Sequence, residues 1–190
     1  MVDFNTAGTQ QPDVIPAGAI VVVQMNIRPG NVGEDGFLKR SSNGKAEMLD
    51  CEFIVVEGEH AKRRFYGNLV VSGTEEGHAD AANFTNRTLR AILECARGFK
   101  PEDVSEAAKA ARNAKYAEFD GIRFICKVGV EPAHDGYRAK NILPLGGVIT
   151  PDDQKNWHAI EQHPKSAEAK RKGGTDNAPA PIVKPKWASS

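Results

Sequence analysis

The sequence predicts a mainly β, α+β domain with a helical insert, and three observations carry that expectation. A period-two alternation over Glu47–Val56 sets Leu49, Cys51, Phe53 and Val55 against Glu47, Asp50 and Glu52, as in a strand with one buried face. A second strand-like segment, Lys62–Val71, follows the short link Glu57-Gly58-Glu59-His60-Ala61. Helical spacing of Ala81, Phe84, Thr88, Leu89, Ile92, Leu93 and Ala96 then takes over, before strand character returns at Gly121–Val130.

Taken in chain order, residues 1–17 show little periodicity and read as an irregular leader. Ala19–Ile27 is the first strand, rich in the β-branched and apolar bulk of Ile20, Val21, Val22, Val23 and Met25, and Arg28-Pro29-Gly30 ends it. A long loop with four glycines runs to about Lys45. The hairpin Glu47–Val71 follows, closed by Ser72-Gly73-Thr74-Glu75-Glu76-Gly77. Arg97-Gly98 marks the end of the first helix. Pro101-Glu102-Asp103 opens an Ala-rich second helix, with Pro and acids where a first turn favours them and a weak stripe of Val104, Ala107, Ala108, Ala111 and Ala114.

In Gly121–Val130, Ile122, Phe124, Cys126, Val128 and Val130 are expected on one face and Arg123, Ile125 and Lys127 on the other. Glu131–Gly136 is a turn and Tyr137–Leu143 the last strand. Residues 151–190 read as a flexible C-terminal tail, its later part having the polar, Pro/Ala-rich composition of disordered segments. A chain ending near Asp153 is therefore expected to keep its thermal midpoint.

At 190 residues there is room for one domain with a sizeable core, here 18–150, plus a tail. No apolar run approaches the roughly 18 residues of a membrane helix, and the N-terminus lacks the pattern of a secretory signal. Cys51, Cys95 and Cys126 are widely spaced within apolar patterns and read as reduced core residues. Lys plus Arg equals Asp plus Glu at 25 each, so any nucleic-acid site must be a local patch on a near-neutral body.

Five strands with helices between the third and fourth is the order of an OB-fold barrel. In that fold the face of strands 2 and 3 and the loops joining strands 1–2 and 4–5 bind oligonucleotides. Here the first of those loops carries Phe37, Lys39, Arg40 and Lys45, and the third strand opens on Lys62-Arg63-Arg64 with Phe65 and Tyr66 behind. Cations suit phosphates and exposed rings suit unstacked bases. The site expected from these residues comprises Lys39, Arg40, Lys62, Arg63, Arg64, Arg123, Lys127, Arg138 and Lys140 on phosphates, with Tyr66 and Phe37 stacking on bases.

The run from Asp50 to Tyr66 resembles a family of small phage and prophage proteins. Their shared layout is a strand, Glu-Gly-x-x-Ala/Lys-x-Arg (here Glu57 to Arg63), a strand with an aromatic, then a helix ending near Ala-x-Gly, here Ala96-Arg97-Gly98. The likeness continues through Gly121-Ile122-Arg123-Phe124 and Tyr137–Ile142 and covers about residues 18–150. It implies an OB-fold-like, non-enzymatic single-stranded DNA-binding protein of phage recombination or replication modules, working in the cytoplasm of a bacterial host. The partners it implies are single-stranded DNA, phage recombination or replication proteins and a second copy of the chain, with no membrane. Unlike housekeeping bacterial single-stranded DNA-binding proteins, this chain ends Lys184-Pro185-Lys186-Trp187-Ala188-Ser189-Ser190 rather than in an acidic tip.

No phosphate-cradling Gly-x-x-x-x-Gly-Lys-Ser/Thr occurs, the cysteines lack zinc spacing, and Asp152-Asp153 and Glu75-Glu76 stand apart from other candidate ligands. No cofactor, metal or catalytic residue is expected. The alternative reading is a protein-interaction accessory factor that docks on a phage recombinase, nuclease or polymerase through its helices and tail.

Overall fold

The computed structural model describes residues 14–157. The expectations of a leader over residues 1–13 and of a disordered tail from residue 158 lie outside the described residues. Within them the fold is mainly β, built on one curled sheet with a few helices.

Alternation builds the sheet. In β1 (Ile20–Arg28), Val21, Val23, Met25 and Ile27 are buried while Gln24, Asn26 and Arg28 stand on the opposite face. β1 pairs antiparallel with β3 (Ala46–Val55), which pairs antiparallel with β4 (Arg64–Gly73). On β3, Leu49, Cys51, Phe53 and Val55 are buried, as the sequence predicts. β5 (Arg123–Lys127) adds to the free edge of β1. The helix α1 (His78–Arg97) packs on both outer strands, β4 and β5, so the sheet closes around its core as a half-barrel. Gly98 ends α1 in the left-handed conformation at φ 70°, and the carbonyls of Cys95 and Glu94 accept from the backbone beyond it. Phe53 sits at the centre, stacked on Phe65 at 5.1 Å and edge-on to Phe124 at 6.1 Å.

Several expected elements differ. The loop after β1 folds back instead of running free: Val32 bridges to Leu38, and β2 (Lys39–Arg40) pairs with β3 beside the end of β1. Gly30 permits this, since a Cβ there would lie 2.4 Å from the Leu38 carbonyl. The third expected strand starts at Arg64, not Lys62, because Lys62 turns the chain at φ 69°.

The second helix, α2 (Glu106–Ala111), begins only after Ser105, whose hydroxyl accepts from the Ala108 N–H at 3.2 Å. Val104 is exposed and Ala108 is the one buried residue of α2. The segment is held instead by Arg112, which donates to buried Glu94 at 2.7 Å and to the carbonyls of Lys100, Pro101 and Asp103.

The strand expected over Gly121–Val130 is two strands. Buried Val128 separates β5 from β6 (Gly129–Glu131), and β6 pairs with β7 (Lys140–Ile142) in a sheet of its own. β7 also runs close to β4. Phe124, Ile125 and Cys126 are all fully buried, so both faces of β5 are covered at Ile125. Cys51, Cys95 and Cys126 are buried and unbridged. Burial pushes the thiols of Cys51 and Cys95 up to about 12.

Both flanks of the expected domain take part in packing. Ile15 is buried, and the Asn141 side chain pins its backbone by accepting from its N–H at 2.8 Å and donating to its carbonyl at 2.7 Å. A helical turn, α3 (Gln154–Trp157), places Trp157 against the core. A chain ending at Asp153 should therefore lose about 1–2 kcal/mol, the value of a half-buried aromatic. Its thermal midpoint, measured by circular dichroism beside that of the full chain, checks this.

Candidate functional site

The polar face of the curled sheet carries four registered rows. Arg64, Ile54, Gln24 and Arg123 form one row across β4, β3, β1 and β5. Tyr66, Glu52 and Asn26 form the next, then Asn68, Asp50 and Arg28, then Val70, Met48 and Lys39. Strand alternation alone puts these side chains on the face opposite Phe53 and Met25. Arg40 pairs with Glu47 at 3.2 Å, one position on from Lys39 and so on the other face.

Tyr66 is 51 % exposed, so its ring belongs to this surface and not to the core. Its hydroxyl donates to Glu52 Oε1 at 3.2 Å, and the Arg28 guanidinium lies over its ring at 5.4 Å. Arg64 donates to the same Glu52 oxygen at 3.0 Å. Asp50 receives Arg28 at 2.7 Å and Lys39 at 2.9 Å. Burial raises the Glu52 carboxyl, but hydrogen bonds from Tyr66 and Arg64, the Arg64 charge and the Asn26 amide outweigh it and hold the group below its ordinary value. Four cations (Arg28, Lys39, Arg64, Arg123) thus share the face with two carboxylates (Asp50, Glu52), a positive surplus.

The structure brings Lys39, Arg64, Tyr66 and Arg123 onto this one face, whereas Arg40, next to Lys39 on β2, alternates to the other. Lys62 and Arg63 stand in the turn that leads into Arg64, and neither side chain has an ion pair or hydrogen bond among the described residues. Among the described residues Arg123 donates only to Gln24, at 3.4 Å. The others fall elsewhere. Phe37 packs half-buried against the core, so it does not present a free ring for stacking. Lys127 lies on β5 beyond buried Ile125 and is cut off from the rows. Lys140 pairs with Glu131 at 3.2 Å on the separate β6–β7 sheet, and exposed Arg138 precedes it there.

Arg28 is the main residue the sequence reading missed. Its place after a β-branched run and before Pro29-Gly30 reads as strand punctuation. The polar series Gln24, Asn26, Arg28 was the available signal, since it continues the period of two outward.

A concavity of about 460 Å³ lies between α1, the β1–β2 connection and the 3-10 turn Tyr116–Phe119. Leu38, Leu89, Leu93 and Phe119 give it an apolar floor, with Arg90, Arg112 and Lys115 among its walls. Among the described residues no group of three or more His, Cys, Asp or Glu side chains could hold a metal ion, and no helix is long and apolar enough to cross a membrane.

Compared with known proteins, the chain matches no family model and no curated sequence.

Proposed function

We propose that this chain is a non-enzymatic single-stranded DNA-binding protein that supports phage recombination or replication in a bacterial host. One observation carries the reading: an exposed tyrosine ring set among arginines and amides on a registered, four-strand-wide sheet face. Base–aromatic stacking is sequence-tolerant, and flanking cations track the backbone of a strand.

The strand order supports an OB-fold-like barrel. β1, β3 and β4 form a meander, β5 returns to β1, and β7 pairs with β6 while running beside β4. In that arrangement α1 fills the seam between the third and fourth barrel strands, and the outer face of the second and third is the ligand face. These two strands are β3 and β4, which carry Glu52, Asp50, Arg64 and Tyr66.

Tyr66→Ala should lose about five- to 150-fold in affinity for a labelled oligo-dT, the value of one stack, with little change in thermal midpoint. Tyr66→Phe should keep most of the affinity, because stacking uses the ring face. Fluorescence anisotropy and a melting curve on each variant check both. Normal binding by folded Tyr66→Ala would remove the ring from the site.

The accessory-factor reading draws on the 460 Å³ concavity beside α1, whose apolar floor could seat a side chain of a partner protein. It predicts no salt-sensitive binding of oligo-dT.

A further inference from the structure

Resting on that reading, we infer that Asp50 and Glu52 determine the selectivity of the face for a single strand over a duplex. Both carboxylates stand on β3, with cation-bearing strands on either side. Their side chains are 11 % and 17 % exposed, whereas those of their partners Arg28, Lys39 and Arg64 are 62 %, 51 % and 55 % exposed. Negative charge therefore lies in the floor of the face, and positive charge projects at its flanks.

A flexible strand meets both demands. It can swing its phosphates onto the flanking cations and lay uncharged bases over β3, where Tyr66 offers a ring and the carboxylates accept from base amino groups. A duplex cannot. It is stiff, its bases are turned inward, and it carries a charge about every 1.7 Å along its axis. Some of its phosphates must pass over the acids of β3. Like unit charges about 4 Å apart weaken binding about fivefold even at the dielectric constant of water, so two such contacts would impose a selectivity of about 25-fold.

The test uses the full chain, Glu52→Gln, and the double variant Asp50→Asn with Glu52→Gln. Each is titrated by anisotropy with labelled oligo-dT and with a mixed-sequence duplex of equal length at one low salt concentration, and thermal midpoints are recorded. The native chain should prefer the single strand. In the double variant duplex affinity should rise about tenfold more than single-strand affinity, so that most of the preference disappears. If the double variant melts early, Glu52→Gln alone decides, with the preference expected to shrink about threefold to fivefold.

Equal gains for both nucleic acids, or an unchanged preference in folded variants, would overturn the inference and leave the single-strand reading intact. A native chain that binds neither nucleic acid would overturn the single-strand reading itself, and this inference with it.

Discussion

Phe53→Ala should lower folding stability by about 3–5 kcal/mol, the range for removing a buried aromatic and leaving a cavity. Phe53 is fully buried and touches rings from two other strands, Phe65 on β4 and Phe124 on β5. It thereby ties the two outer strands of the half-barrel to the central one, and no neighbour on a single element can relax to fill the space. Chemical denaturation followed by circular dichroism measures the loss. Phe53→Leu, which keeps most of the volume, should cost less than half as much. A loss below about 1 kcal/mol for the alanine variant would mean that the sheet does not curl around this ring.

Replacing Arg63, Arg64 and Arg123 together by Gln should weaken binding through the loss of phosphate contacts. Arg64 and Arg123 end one row of the face, and Arg63 stands in the turn beside it. Among the described residues Arg63 makes no ion pair and Arg123 bonds only to Gln24, so both can meet phosphates. Arg64 must exchange Glu52 for a phosphate. Glutamine keeps the aliphatic stems, and Asp50 retains both of its cations, so the fold should hold. Affinity for oligo-dT should fall at least about tenfold, and the log–log salt slope should drop by about 2, at about 0.7 per lost phosphate contact on a single strand. Titration at a series of salt concentrations reads both quantities. A folded variant with an unchanged slope would exclude these three residues from the site.

Much of this arrangement is legible locally. The alternation of Leu49, Cys51, Phe53 and Val55 and the stripe of Leu89, Ile92, Leu93 and Ala96 each report one buried face, and both faces are buried where the pattern says. What the pattern cannot report is register. Arg28 joins Asp50, and Arg64 joins Glu52, only because three strands align, a fact held in no single segment. β2 is two residues long and too short to show a period. Asn141 holds Ile15 across 126 residues of chain. α2 is fixed by Arg97 on the Ala111 carbonyl and by Arg112 on the carbonyls before the helix, interactions that leave no apolar stripe to read. Phe37 misled for the opposite reason. A ring in a glycine-rich stretch looks free until the loop folds back and seats it on the core.

On the proposed function, a single strand lies across the outer face of β1, β3, β4 and β5. An NMR titration of the isotope-labelled full chain with an unlabelled oligo-dT would show this. Amide shifts should cluster at Gln24, Asn26, Arg28, Glu52, Arg64, Tyr66 and Arg123, and fade as salt is added. Shifts confined to Leu89, Leu93 and Lys115 around the α1 concavity, or no shifts at low salt, would contradict it.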